Sequence, residues 1–112
     1  MVSPLRDKII EYLAVGPSSD LGEGDRLKIQ VDGCPYLVFR VGGKLYAISG
    51  TCSHEDEPLD EGELDGYEIT CPRHGARFDL RSGEVKSLPA VIGIQTFPIR
   101  EQDGQIEIGL LK

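Results

Sequence analysis

The sequence predicts an all-β fold, a small antiparallel sandwich or barrel-like base, and three observations predict it. Apolar residues recur at period two in short runs. Glycine breaks nearly every run, and no apolar stretch has the length and helical period of a convincing long helix. At 112 residues the chain forms one domain with a single modest core.

Taken in order, "IIEYLAV" from Ile9 reads as a strand, because it is brief and Gly16-Pro17 follows it. "PSSDLGEGD" is a loop with a short helical turn begun at Ser19. "RLKIQV" alternates, with Leu27, Ile29 and Val31 on one face. Asp32-Gly33 turns the chain into "PYLVFRV", and Gly42-Gly43 turns it again into "KLYAIS". Two glycines between such runs mark a two-residue hairpin, since that turn needs positive φ. "YEITC" and "ARFDL" are short strands, "RSGE" is a turn, and "VKSL" follows it. "GIQTFPIR", Asp103-Gly104 and "QIEIGL" make a closing hairpin, in which Pro98 implies an edge position or a bulge. Eight to ten strands result.

A formal net charge of −7 argues against nucleic acid or an anionic membrane as partner and suits a basic protein surface. No apolar run approaches the roughly 20 residues of a membrane span, and "MVSPLRDKIIEYLAVG" does not read as a signal peptide. Three cysteines without an export signal point to a reducing compartment, so the expected location is the cytoplasm.

Chemistry concentrates between residues 52 and 74. Both histidines and two of the three cysteines of the chain lie there, as Cys52-x-His54 and Cys71-x-x-His74. Buried cysteines and surface histidines would explain one such pair, but two pairs holding every histidine are a ligand pattern. Thiolate and imidazole together serve zinc, copper and iron–sulfur sites. Zinc knuckles generally contribute two cysteines each. If each pair gives its cysteine to one metal and its histidine to another, the result is Cys₂ on one iron and His₂ on its neighbour, the ligand set of a Rieske [2Fe–2S] centre.

The segment "CSHEDEPLDEGELDGYEITCPRHGARFDLRSG" resembles the C-x-H…C-x-x-H box of Rieske proteins. The sixteen residues between His54 and Cys71, and the "CPRHGARFDLRSGE" tail, are similar to the soluble Rieske-type ferredoxins of bacterial multicomponent dioxygenases. The likeness runs from about residue 11 to the C-terminus, leaving residues 1–8 as an extension. It implies the Rieske fold as a single domain over residues 1–112, with a cluster-binding subdomain over about 47–88. It implies further that Cys52 and Cys71 hold the inner iron of one cluster, and that His54 and His74 hold the outer iron, where the electron leaves.

Two ferric ions, two sulfides and two thiolates sum to a neutral oxidised centre, and reduction adds one negative charge. Neutral imidazoles therefore place such centres at about −150 to +300 mV, against about −400 mV for all-cysteine ferredoxins. Respiratory Rieske proteins add a cysteine to each ligand loop, forming a disulfide; the matching positions here are Glu57 and Arg73. Their serine and tyrosine donors to sulfur are Ala76 and Phe78 here. The resemblance thus implies a low-potential centre.

Lesser signals are weighed with these. Cys34 reads as a buried or half-buried strand residue. The acidic run Glu55, Asp56, Glu57, Asp60, Glu61, Glu63, Asp65 and Glu68 reads either as a solvated loop or as a surface steering a basic partner. Gly75 is expected to let the backbone approach the cluster, and Pro89 to lie in a covering loop.

The leading expectation is a monomeric one-electron carrier between a flavoprotein reductase and a terminal oxygenase, which dock near His54 and His74. A small Rieske-type subunit of a nitrite reductase or other redox complex is an alternative, and a structural zinc module is another from a different class. An oxygenase is excluded by counting, because its mononuclear iron needs two further histidines. A cysteine or serine nucleophile would likewise find no free histidine as base, so no catalytic residue is expected.

Overall fold

Eleven strands build three antiparallel sheets in this computed structural model, which describes residues 10–51, 58–72, 75–87 and 93–111. The strands are β1 (Ile10–Pro17), β2 (Arg26–Val31), β3 (Cys34–Val41), β4 (Lys44–Ser49), β5 (Glu63–Asp65) and β6 (Glu68–Thr70). β7 (Arg77–Asp79), β8 (Val85–Ser87), β9 (Thr96–Phe97), β10 (Ile99–Gln102) and β11 (Gln105–Leu111) complete them. A 3-10 turn over Ser18–Asp20 stands where the short helical turn is expected. Among the described residues, no helix is long and apolar enough to cross a membrane.

The outer sheet has the order β1-β11-β10, the central sheet β2-β3-β4-β9, and the small sheet β5-β6-β7-β8. β3 explains the stacking. Its "LVF" is a continuous apolar run, as expected of a strand buried on both faces, and all three residues are fully buried. Val38 points with Ala47 into a sandwich core shared with Ile106, Ile108 and Leu110 of β11. Leu37, Phe39 and Ile48 point the other way, onto Ile69, Phe78 and Leu80 of the small sheet's region. Each such side chain contributes about 1.5–3 kcal/mol on burial.

The three hairpins read from Asp32-Gly33, Gly42-Gly43 and Asp103-Gly104 are present with positive φ at both turn residues (52° and 81°, 62° and 79°, 53° and 78°). That geometry matches the twist of the paired strands. Glu23 reinforces the second turn by accepting from the Gly42 and Gly43 N–H groups at 2.7 and 2.9 Å. These bonds hold its carboxyl below the usual carboxylate range.

Several expectations need correction: the chain has two cores, on opposite faces of β3, rather than one, and eleven strands rather than eight to ten. The acidic run is not all loop: Leu64 pairs with Ile69, and that apolar contact makes Glu63–Asp65 an edge strand. "GIQTFPIR" is not one strand, because Pro98 divides it. β9 joins the edge of the central sheet through Phe97 and Thr96, β10 joins the edge of the outer one, and the Pro98 carbonyl accepts from Gly109 N–H at 2.7 Å. Cys34 is exposed rather than buried or half-buried. It opens β3 directly after the Asp32-Gly33 turn and lines a cavity with Ile10, Phe97 and Leu110.

Candidate metal centre

Of the four ligand candidates, Cys71 lies within the described residues; Cys52, His54 and His74 lie outside them, as do Glu57, Arg73 and Pro89. Cys71 follows β6 and is 1% exposed. Its N–H donates to the Ala76 carbonyl at 2.7 Å, and its carbonyl accepts from Gly75 N–H at 3.0 Å. The backbone thus closes a tight loop between β6 and β7, and residues 73 and 74 belong to it by sequence. Gly75 has φ +77°, where a Cβ is strained. The turn itself requires the glycine.

The thiol of Cys71 sits in an apolar core with Leu37, Phe39, Leu59, Ile69, Ala76 and Phe78. Among the described residues, the side chains packed there are apolar, with the Arg26 guanidinium at the edge over the Phe39 ring. A binuclear centre that is neutral when oxidised fits there without a counter-ion, whereas an unpaired buried charge would be costly. Ala76 and Phe78, both fully buried, belong to the same core as Cys71.

The segment bearing Cys52 and His54 springs from a stem that is well defined on both sides. Gly50 N–H donates to the Pro35 carbonyl at 2.9 Å, Leu59 N–H donates to Gly50 O at 2.9 Å, and Thr51 bridges to Pro58. Leu59 is fully buried in the Cys71 core. Gly62 then passes so close to β6 that an added Cβ would collide with the Thr70 carbonyl. Thr70 immediately precedes Cys71, so the stem of one candidate ligand segment lies against the base of the other. Sequence reasoning missed Gly50, Leu59 and Gly62. Leu59 and Gly62 show in the sequence only as a leucine and a glycine punctuating an acidic run, and Gly50 only as a glycine ahead of it.

A third segment approaches the same region. Ile94, buried in the Cys71 core, donates its N–H to Gly83 O at 2.8 Å. At the far end of the small sheet, Arg81 makes a bidentate pair with buried Asp79 (2.8 and 3.1 Å) and covers the Tyr67 ring at 4.3 Å. That hydrogen-bonded guanidinium holds the Asp79 carboxyl below its ordinary range. A cavity of about 480 Å³ lies elsewhere, on the sandwich side beside Cys34, Tyr36 and Phe97. No residue of the Cys71 core lines it.

Comparison with known proteins decides what the pattern means. Residues 11–98 match the model of the Rieske [2Fe-2S] domain. The chain belongs to that family.

It is 37% identical to the ferredoxin component of biphenyl 2,3-dioxygenase from Rhodococcus jostii (strain RHA1), over 83% of this chain and 87% of the relative. It is 35% identical to the ferredoxin component of the naphthalene 1,2-dioxygenase system of Pseudomonas putida, over 92% and 96%. A solved complex of reduced oxygenase and oxidised ferredoxin in carbazole 1,9a-dioxygenase contains a similar chain, with a TM-score of 0.82 and 34% identity over 87% of this chain and 91% of that one. The expected Rieske fold is therefore present, and this Rieske domain is an electron carrier of ferredoxin type with a [2Fe–2S] cluster, not an enzyme.

Proposed function

We propose that Cys52, His54, Cys71 and His74 hold the cluster, with the two cysteines on the inner iron and the two histidines on the outer, and that the electron enters and leaves beside the histidines. The observation that carries this is the buried Cys71 thiol, set among apolar side chains at the base of a tight loop, with the stem of the Cys52 segment against it. When bound, the cluster supplies a one-electron couple. Cys71 is withdrawn from water, which suits an inner ligand. Ala76 and Phe78 offer no side-chain hydrogen bond in that core, which supports a potential near the low end of the Rieske window, about −150 mV.

The subdomain holding the cluster covers about residues 47–88, residues 1–8 are an extension of the domain, and the loop bearing Pro89 covers the cluster. The partners are a flavoprotein reductase on one side and a terminal oxygenase of the dioxygenase type on the other. Both dock near His54 and His74, and the oxygenase is the kind of partner seen with the carbazole dioxygenase ferredoxin. Exposed Glu61, Glu63 and Asp65 continue the acidic run toward the small sheet's edge, which favours basic partner surfaces. The protein works as a monomer in the cytoplasm, without nucleic acid or membrane as partner.

Iron and acid-labile sulfide analysis of the purified protein, with a redox titration followed by electron paramagnetic resonance, tests the reading. Two irons and two sulfides per chain with a low-potential Rieske signal are expected. A colourless protein containing one zinc would overturn it.

A further inference from the structure

β2 turns two faces to two neighbours. Leu27 and Ile29 pack into the sandwich core, whereas Arg26 lies on the other face, opposite Phe39 in the ladder. The Arg26 guanidinium stands 5.1 Å from the Phe39 ring centroid. Its Nη1 donates to two carbonyls of one turn, Asp60 O at 2.9 Å and Gly62 O at 2.6 Å. Lys28, on the same face, reaches the Asp60 carboxylate at 3.4 Å, an exposed pair that contributes little. The Arg26 bonds are partly buried and come from a charged donor, which makes them the stronger contact.

The turn they hold joins two stems. Gly62 N–H donates to Leu59 O at 2.9 Å, closing the turn. On its near side, Leu59 and Pro58 return from the segment bearing Cys52 and His54. On its far side, Gly62 rests on the Thr70 carbonyl, one residue before Cys71. Whatever fixes Asp60 and Gly62 therefore fixes the offset between the two ligand segments.

We propose that Arg26 is a positioning residue for the cluster: its grip on the turn at residues 59–62 sets the spacing of the two ligand segments, and through it the retention and potential of the cluster. This rests on the ligand assignment above. Arginine suits the task because one nitrogen, Nη1, serves both carbonyls while the flat face of the guanidinium lies over the Phe39 ring, a stacking that a lysine ammonium does not reproduce.

The test uses holoprotein and three variants. Arg26→Met keeps apolar cover on Phe39 but loses both hydrogen bonds, and Arg26→Lys keeps the charge. Arg100→Met is the control; Arg100 covers the Tyr12 ring at 3.7 Å and pairs with Glu107 in the outer sheet, away from the turn. Iron release to a chelator should be roughly tenfold faster in Arg26→Met, the effect of about 1.4 kcal/mol on a barrier. Arg26→Lys should fall between it and wild type, while Arg100→Met stays within about twofold of wild type, as surface substitutions do. The midpoint potential should move in Arg26→Met and not in Arg100→Met. Unchanged release and potential in Arg26→Met would overturn the proposal, as would an equal acceleration in Arg100→Met at equal loss of melting temperature. If Arg26→Met is not recovered folded, wild-type behaviour of Arg26→Lys would overturn it equally. A wild-type chain that holds no cluster would sink the ligand assignment and this proposal together; a loaded wild type leaves Arg26 alone on trial.

Discussion

The two cores of this molecule sit back to back on the central sheet and are held by different means. The sandwich core is enclosed by long ladders: β1 and β11 pair over seven positions, and β2, β3 and β4 pair over six each. The Cys71 core shares the central sheet through Leu37, Phe39 and Ile48, but its other wall is four strands of three residues each. So few ladder bonds cannot fix a loop, and the region substitutes single contacts between distant residues. These are the Arg26 clamp, the Gly62–Thr70 approach, the Leu59 anchor and the Ile94–Gly83 bond. The sandwich resists by repetition and the cluster region by a few specific ties, so the second should yield first and take the cofactor with it.

The largest effect expected is on the cofactor itself. Cys52→Ser, His54→Ala, Cys71→Ser and His74→Ala should each abolish or grossly alter the visible spectrum and the iron content. Cys34→Ser should leave both intact, since Cys34 is exposed on the sandwich side. A colourless Cys34→Ser protein, or a normal spectrum in any of the other four, would break the division between the two regions.

Core truncation sharpens the same contrast. Leu59→Ala and Ile108→Ala both remove fully buried side chains and should each cost about 2–5 kcal/mol in urea unfolding. Only Leu59→Ala should accelerate iron loss before global unfolding begins. If both lose iron in step with unfolding, the molecule has one cooperative core rather than two.

A smaller effect concerns potential. Reduction makes the cluster more negative, so a hydrogen-bond donor aimed at it favours the reduced form. In Phe78→Tyr a differential gain of about 1 kcal/mol corresponds to an upward shift of roughly 40 mV for a one-electron couple. Ala76→Ser should act in the same direction. A loaded Phe78→Tyr protein with an unshifted redox titration would show that the phenol does not reach the sulfur.

Electron delivery to an oxygenase should weaken as salt rises, and neutralising Glu55, Asp56 and Glu57 should slow it through the association rate. Stopped-flow transfer indifferent to ionic strength would leave the acidic run a solvated surface.

The smallest effect is acid sensitivity at the far end of the small sheet. Arg81 lowers the folded-state pKa of Asp79, so the stabilisation is present above the unfolded carboxyl value and is lost as pH falls through the folded one. The gap in urea midpoint between wild type and Asp79→Asn should therefore shrink from pH 7 toward low pH. A gap that widens on acidification would contradict the sign.

The fold class and the three hairpins were legible in the sequence because each depends on residues near one another in the chain. Period-two alternation sets a strand's faces, and two positive-φ residues set a hairpin. What the sequence alone left open depends on distant partners. Glu63–Asp65 became a strand because Leu64 meets Ile69, and "GIQTFPIR" was split because two sheets claim its halves. Cys34 lay exposed because the strands leave a cavity beside it, lined also by Ile10, Phe97 and Leu110. Arg26 gave no local sign of purpose, since its partners Asp60 and Gly62 lie 34 and 36 residues away. A donor and a carbonyl that far apart are brought together only by tertiary packing, and no local pattern encodes that distance.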